Sequence, residues 1–204
     1  MTAPKAWAEA GHQSEVEARI AAAVTHGDFE SAATAVIRSY GPQVLGYLKA
    51  IVKDAEEAED AFALFAENVW RGLPTWDGRA SARAWAYRVA WNAAGRQFRD
   101  PWHRRREELP ANVASIEAAA VMTSSRRDLD RLQTRFEQLR SSMTREEQSL
   151  LVLRVDRGLS WREVALAMGE PEDATGCAVL RKRFERLKEK LARAARARGL
   201  LGDS

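Results

Sequence analysis

The chain has 204 residues, 46% of them hydrophobic and 30% charged, with a formal net charge of +3 and a pI of about 9.2; that balance excludes disorder throughout and allows one packed domain or two small ones. A single cysteine, Cys177, excludes an internal disulfide, and no Cys/His cluster has zinc-ligand spacing, so neither a metal nor a cofactor is expected. The first twenty residues lack an apolar stretch of signal-peptide length and nowhere do about 18 apolar residues run together, which predicts an unexported, cytoplasmic protein with no membrane contact.

In chain order, apolar residues recur at three- and four-residue spacing with no sustained alternation of strand type, so the fold is predicted to be all-α. Ser14 can cap a first short helix with Val16, Ile20 and Val24 on one face, and Gly27-Asp28 ends it and caps the next. That second helix is expected to run to about Tyr40, where Gly41-Pro42 interrupts it before a new stripe of Val44, Leu45, Leu48, Ile51 and Val52. Asp54 can cap a helix carrying Ala58, Ala61, Phe62, Phe65 and Val69, stopped by Gly72-Leu73-Pro74. A fourth long helix is expected at about Ser81 to Arg99.

From Asp100-Pro101 to about Ser125 the periodicity fades, apart from a short helical pattern around Ile116, which marks a flexible linker. Leu129, Leu132, Phe136 and Leu139 then define a helix. Two Ser/Thr-x-x-Glu capping boxes follow, Thr144 with Glu147 and Ser160 with Glu163, and fix helix starts at 144 and 160. The expected organisation is two small helical domains, 14–100 and 128–196, joined by a linker at 101–127 and followed by a tail at 197–204.

Basic residues cluster at Arg96 to Arg106 and Arg181 to Arg198. Clustered Arg and Lys suit a phosphate backbone, although each run alone could equally be a solvated helix face. The stretch Leu159 to Gly169 makes a short capped helix ending in Gly. Beyond it Leu180, Phe184, Leu187 and Leu191 share one face of a longer helix whose other faces carry Arg181, Lys182, Arg183 and Arg186. A short helix, a turn and a longer basic helix is the helix-turn-helix order, in which the second helix enters the major groove and its arginines contact guanine edges while lysines hold phosphates.

Met143 to Leu191 resembles the promoter-binding C-terminal domain of bacterial RNA polymerase sigma factors of the extracytoplasmic-function (ECF) group, whose LS-aromatic-x-E-[IV]-A pattern is met at Leu159, Ser160, Trp161, Glu163, Val164 and Ala165. The turn departs from the family: Glu170 to Ala178 makes it several residues longer than usual, leaving open which of Val179 to Arg183 reaches bases. In the N-terminal half, Gly27-Asp28, Tyr40-Gly41-Pro42, Ala58-Glu59-Asp60 and Trp70 resemble the family's core-binding domain. The resemblance implies docking on the polymerase clamp through Asp60, Glu67 and Asn68, with Ala63-Leu64 standing where a Gln-Glu pair is usual.

Ala84 to Asn92 resembles the family's W-[LAM]-Y-R-[IV]-A-x-N segment, which reads and melts the downstream promoter element. On a helix Arg88, Asn92, Arg96 and Arg99 share a face, able to follow a separated strand, while Trp85, Val89 and Ala93 lie on another. Trp85 is read as core, and Trp91 is left open between core and base platform. Arg96 stands where the family usually has Asp.

The function so implied is a sigma factor that binds core RNA polymerase and directs promoter recognition and DNA-templated transcription initiation. Upstream promoter DNA would be held through Arg181, Lys182, Arg183 and Arg186, and downstream DNA through Arg88, Trp91, Asn92, Arg96 and Arg99. An anti-sigma factor as a further partner is left open. The rival is a stand-alone helix-turn-helix regulator with a helical sensing or dimerisation domain. An enzyme is not expected: His12, His26 and His103 are scattered without a partnered acid or nucleophile, and there is no Gly-rich phosphate loop. Cys177 near the turn is read as a small buried residue rather than a redox-sensitive thiol.

Overall fold

The structure is a computed structural model and describes residues 3–52, 54–97 and 142–197. All regular elements among them are helical, as the periodicity predicts. The first helix, α1, spans Ala3–Thr25. It begins at Ala3 rather than Ser14, because the Ala-rich opening has high helix propensity and Pro4 falls in a first turn, where a missing amide hydrogen costs nothing. Val16 and Ile20 turn inward, as expected.

Asp28 caps α2 by accepting from the Ser31 amide at 3.0 Å, a hydrogen bond that holds its carboxyl below the ordinary aspartate range. Helix α2 then runs unbroken from Phe29 to Ile51. The interruption expected at Gly41-Pro42 does not occur. Pro42 removes one hydrogen bond and is itself exposed, while Tyr40, Gly41 and Val44 are buried, so packing on both sides of the proline outweighs its local penalty of about 3 kcal/mol.

Helix α3, Ala55–Gly72, is capped by Asp54, which accepts from the Glu57 amide, and buries Ala58, Ala61, Phe65 and Val69. Leu73–Thr75 tightens into a 3₁₀ turn around Pro74, and α4 follows at Ala82–Gln97. In the C-terminal half, α5 (Arg145–Leu151) and α6 (Trp161–Met168) start at the two predicted capping boxes, each with both reciprocal hydrogen bonds formed. A π-helical turn, Val152–Asp156, follows α5 directly. The last helix, α7, spans Ala174–Ala197. It starts four or five residues before the sequence suggests, because Asp173 accepts from the Gly176 amide at 2.7 Å and so begins the helix ahead of Val179. Cys177 is therefore inside α7, and it is buried. The predicted linker at 101–127, the helix around 129–139 and all of the tail but Ala197, which ends α7, lie outside the described residues.

Helix α4 is central: it packs against α1, α2 and α3 on one side and against α6 on the other, and α2 also meets α5. One continuous core results, running from Val16 and Ile20 through Tyr47, Phe65 and Tyr87 to Leu153, Val164 and Leu180. Small residues allow the close approach around α4, since Ala82, Ala86, Ala90, Ala93 and Ala94 are all buried. The large side chains supply the energy, at about 1.5–3 kcal/mol for each one fully removed from water. Tyr47 and Tyr87 meet edge to face with ring centroids 5.4 Å apart.

Candidate nucleic-acid interface

The N-terminal turn of α4 is fixed by a residue far away in sequence. Glu17, on α1, accepts from the backbone amides of Ala82 at 2.6 Å and Arg83 at 3.0 Å, satisfying two of the donors that the start of any helix leaves unpaired. The same carboxylate accepts from the Tyr40 hydroxyl. Burial first, then that hydrogen bond, push the Tyr40 phenol well above its ordinary value, so it remains a donor at every physiological pH. Sequence reasoning missed Glu17, as one glutamate on an amphipathic helix carries no signal of what it caps.

From that anchored start, α4 presents the predicted downstream-promoter residues. Arg88 is half-buried, and its guanidinium lies against Gly169, the left-handed C-cap of α6 at φ +76°, where an added Cβ would stand 1.6 Å from Nη1. Trp91 is half-buried beneath the guanidinium of Arg145, 5.3 Å from its ring centroid. Asn92 is exposed. Arg96 is on α4 but its side chain, like all of Arg99, lies outside the described residues. Trp85 turns inward against Trp76, with centroids 6.2 Å apart, beside buried Val89 and Ala93, which is the core role expected for it.

The upstream group behaves differently. Arg181, Lys182, Arg183 and Arg186 are all exposed on α7, while Leu180 and Leu187 anchor the opposite face. Arg183 pairs with Glu170 in the turn, and Arg181 lies 5.9 Å from the Trp161 ring centroid. Trp161 in turn meets Phe184 edge to face, which sets the angle between α6 and α7. On α3, Asp60 and Glu67 are exposed, two turns apart on one side of the helix, and Asn68 is half-buried. Glu67 pairs with Arg71 at 2.7 Å. Among the described residues no group of acidic, His or Cys side chains could hold a metal ion.

Three features can be set beside known proteins: an arginine-bearing helix α4, an acidic side on α3 and an exposed basic helix α7. The family model described as Sigma-70 region 2 matches residues 36–105, a span that takes in α3, α4 and most of α2. That segment is similar to sigma-70 region 2. A solved structure titled "Structure of CnrH in complex with the cytosolic domain of CnrY" shares the fold with a TM-score of 0.60 at 17% identity, covering 89% of this chain and 98% of that one. At that identity the likeness shows a shared fold, and the region 2 match is the finding that points to a sigma factor. No curated protein sequence matches this chain. The matched span holds all of the predicted N-terminal site residues, Asp60, Glu67, Asn68, Arg88, Trp91, Asn92, Arg96 and Arg99, while α7 lies beyond it.

Proposed function

We propose that this sigma factor binds bacterial core RNA polymerase through the acidic side of α3, at Asp60, Glu67 and Asn68, and opens the downstream promoter element with α4. The helix-turn-helix of α6 and α7 holds the upstream element through Arg181, Lys182, Arg183 and Arg186. The carrying observation is the region 2 match, which falls on the helices that expose Asp60, Glu67 and Asn92. In this reading 14–100 and 128–196 act as separate domains on promoter DNA, joined by 101–127, and the chain has no catalytic chemistry of its own. Polymerisation belongs to the core enzyme. The sigma factor works in the cytoplasm; among the described residues no helix is long and apolar enough to cross a membrane. CnrH, which shares the fold, was solved with the cytosolic domain of CnrY. By analogy a cytosolic anti-sigma domain is a further partner of this chain.

The test is reconstitution with bacterial core polymerase and a promoter library, scoring complex formation and transcripts. The wild-type chain should give both. Asp60→Lys should weaken core binding roughly tenfold, about 1.4 kcal/mol, without changing the unfolding temperature. Asn92→Ala removes a donor and acceptor suited to a base edge but leaves the charge intact, so closed complex should survive while permanganate-reactive open complex falls on duplex promoter and recovers on a pre-melted bubble. If no polymerase complex forms and the chain instead binds a palindrome as a dimer, it is a stand-alone regulator.

A further inference from the structure

The turn between α6 and α7, longer than the family pattern, is also acidic, with Glu170, Glu172 and Asp173 falling close together. Backbone contacts fix it in place. The Glu170 amide donates to the Ala165 carbonyl at 2.9 Å, and Asp173 accepts from the Gly176 amide at 2.7 Å while its own carbonyl accepts from the Cys177 amide at 3.0 Å. The Pro171 carbonyl oxygen lies 2.0 Å from where a Cβ on Gly176 would stand, so backbone rests on backbone and the turn has little room to shift. Held this way, it sets a carboxylate on an arginine of each helix that it joins. Glu170 pairs with Arg183 of α7, and Glu172 pairs with Arg162, in the first turn of α6, at 3.4 Å. Arg181, Lys182 and Arg186, by contrast, have no acidic partner among the described residues.

We infer that this turn is a built-in competitor for DNA phosphates: Glu170 and Glu172 hold Arg183 and Arg162 on internal carboxylates and so lower the chain's sequence-independent affinity for DNA. The inference rests on the proposed use of α6 and α7 for the upstream element. In a helix-turn-helix the second helix enters the major groove and the first crosses the backbone, so each of these arginines reaches a phosphate only by leaving its glutamate. Magnitudes show that the competition is felt without closing the helices to DNA. All four side chains keep partial exposure, and an ion pair in such surroundings weakens a competing contact by about two- to fivefold. Arg183 and Arg162 therefore still contribute to binding, but less than an unpaired arginine would. Arg181, Lys182 and Arg186 face no such competition, so sequence readout falls to them. The turn sets how tightly the helix pair holds DNA of any sequence and leaves the preferred sequence alone, because phosphates carry no base information.

The test uses the full chain and a short labelled duplex DNA pool with ten randomised positions, titrated by fluorescence anisotropy at several salt concentrations. Glu170→Gln and Glu172→Gln should each tighten pool binding about threefold and the double variant about tenfold, with a salt slope up to about one unit steeper for each arginine released. Both changes remove a charge and keep the shape of the side chain, so thermal unfolding, followed in parallel, should be nearly unchanged. In an Arg183→Gln background Glu170→Gln should give no gain, and in an Arg162→Gln background Glu172→Gln should give none, which assigns the effect to the pairs. The sequences enriched from the pool should be the same for the wild type and the double variant. Equal gains with and without the arginines would show that the carboxylates only repel DNA, and would overturn the proposal. Single variants with no gain or a loss overturn it too, as does a change in the enriched sequences, which would make a turn glutamate a base reader. Arg186→Ala is titrated alongside. If it binds the pool as the wild type does, the reading of α7 as the upstream helix fails, while a gain that runs through Arg183 and Arg162 still upholds the competitor.

Discussion

Helices α4 and α7 both carry arginines suited to DNA, yet they sit in opposite surroundings. Only one side of α7 is apolar, with Leu180 and Leu187 fixed against the domain, and Arg181, Lys182, Arg183 and Arg186 face solvent. Helix α4 is enclosed on almost every side, by α1, α2 and α3 behind it and by α6 in front. The difference follows from composition. A leucine stripe on a highly charged helix supports one-sided packing, whereas the alanines of α4 let backbones approach from several directions. A DNA-contacting residue type therefore says little about whether the residue is free to make the contact.

The sharpest way to test the open helix is by substitution at its arginines. Arg181→Ala and Arg183→Ala should each weaken upstream-element binding. A base-reading arginine should lose roughly 1–3 kcal/mol of discrimination at one promoter position, and a phosphate-holding one should lose affinity uniformly with about one unit less of salt slope. Quantitative binding to a library of promoter variants at two salt concentrations separates the two. Unchanged binding in both variants would mean that α7 is exposed for some other purpose.

The covered helix is tested at Gly169, with Gly158 as a control. Both have positive φ, but a Cβ at Gly158 meets open space, while one at Gly169 runs into Arg88. Each Gly→Ala change should cost about 1–2 kcal/mol for the left-handed backbone. Gly169→Ala should cost up to about 1 kcal/mol more, because the packed guanidinium is displaced as well. Equal losses in thermal unfolding would show that the Arg88 contact adds nothing to the closed arrangement.

A smaller effect concerns how α7 is held to α5. Lys190 donates to both carboxylate oxygens of Glu147, at 3.0 and 2.7 Å, and to the Ser142 carbonyl. Burial raises the Glu147 carboxyl, but the Lys190 hydrogen bond and charge together with the Thr144 amide outweigh it and leave the group below the ordinary glutamate value of 4.5. A carboxyl depressed on folding contributes stability that is complete above its unfolded pKa and is lost as pH falls through and below about 4.5. Lys190→Met should therefore lower stability by only ~0.5–1 kcal/mol at pH 7, given the partial exposure, and flatten the acid dependence between pH 5 and 3. An unaltered acid profile would remove Lys190 as the cause.

Local signals decided what the sequence could decide. The starts of α5 and α6 were legible because a capping box is a four-residue device whose hydroxyl and carboxylate act on their own backbone, and Asp28 and Asp54 cap α2 and α3 through similarly local hydrogen bonds. The all-helical class and the basic face of α7 followed from apolar spacing, and the family resemblance, with the α3 candidates it implies, from short contiguous patterns. Long-range contacts decided the rest. Burial on both sides of Pro42 kept α2 continuous against its local preference, and Glu17 found the amides of Ala82 and Arg83 across 65 and 66 residues. Whether Arg88 and Trp91 face solvent was settled by Gly169 and Arg145, and the Tyr47 to Ser149 contact spans 102 residues. Capping and periodicity are interactions of a chain with its own neighbours and are written where they act, whereas occupancy of a surface depends on which distant segment packs there, a choice set by the summed burial of the whole fold.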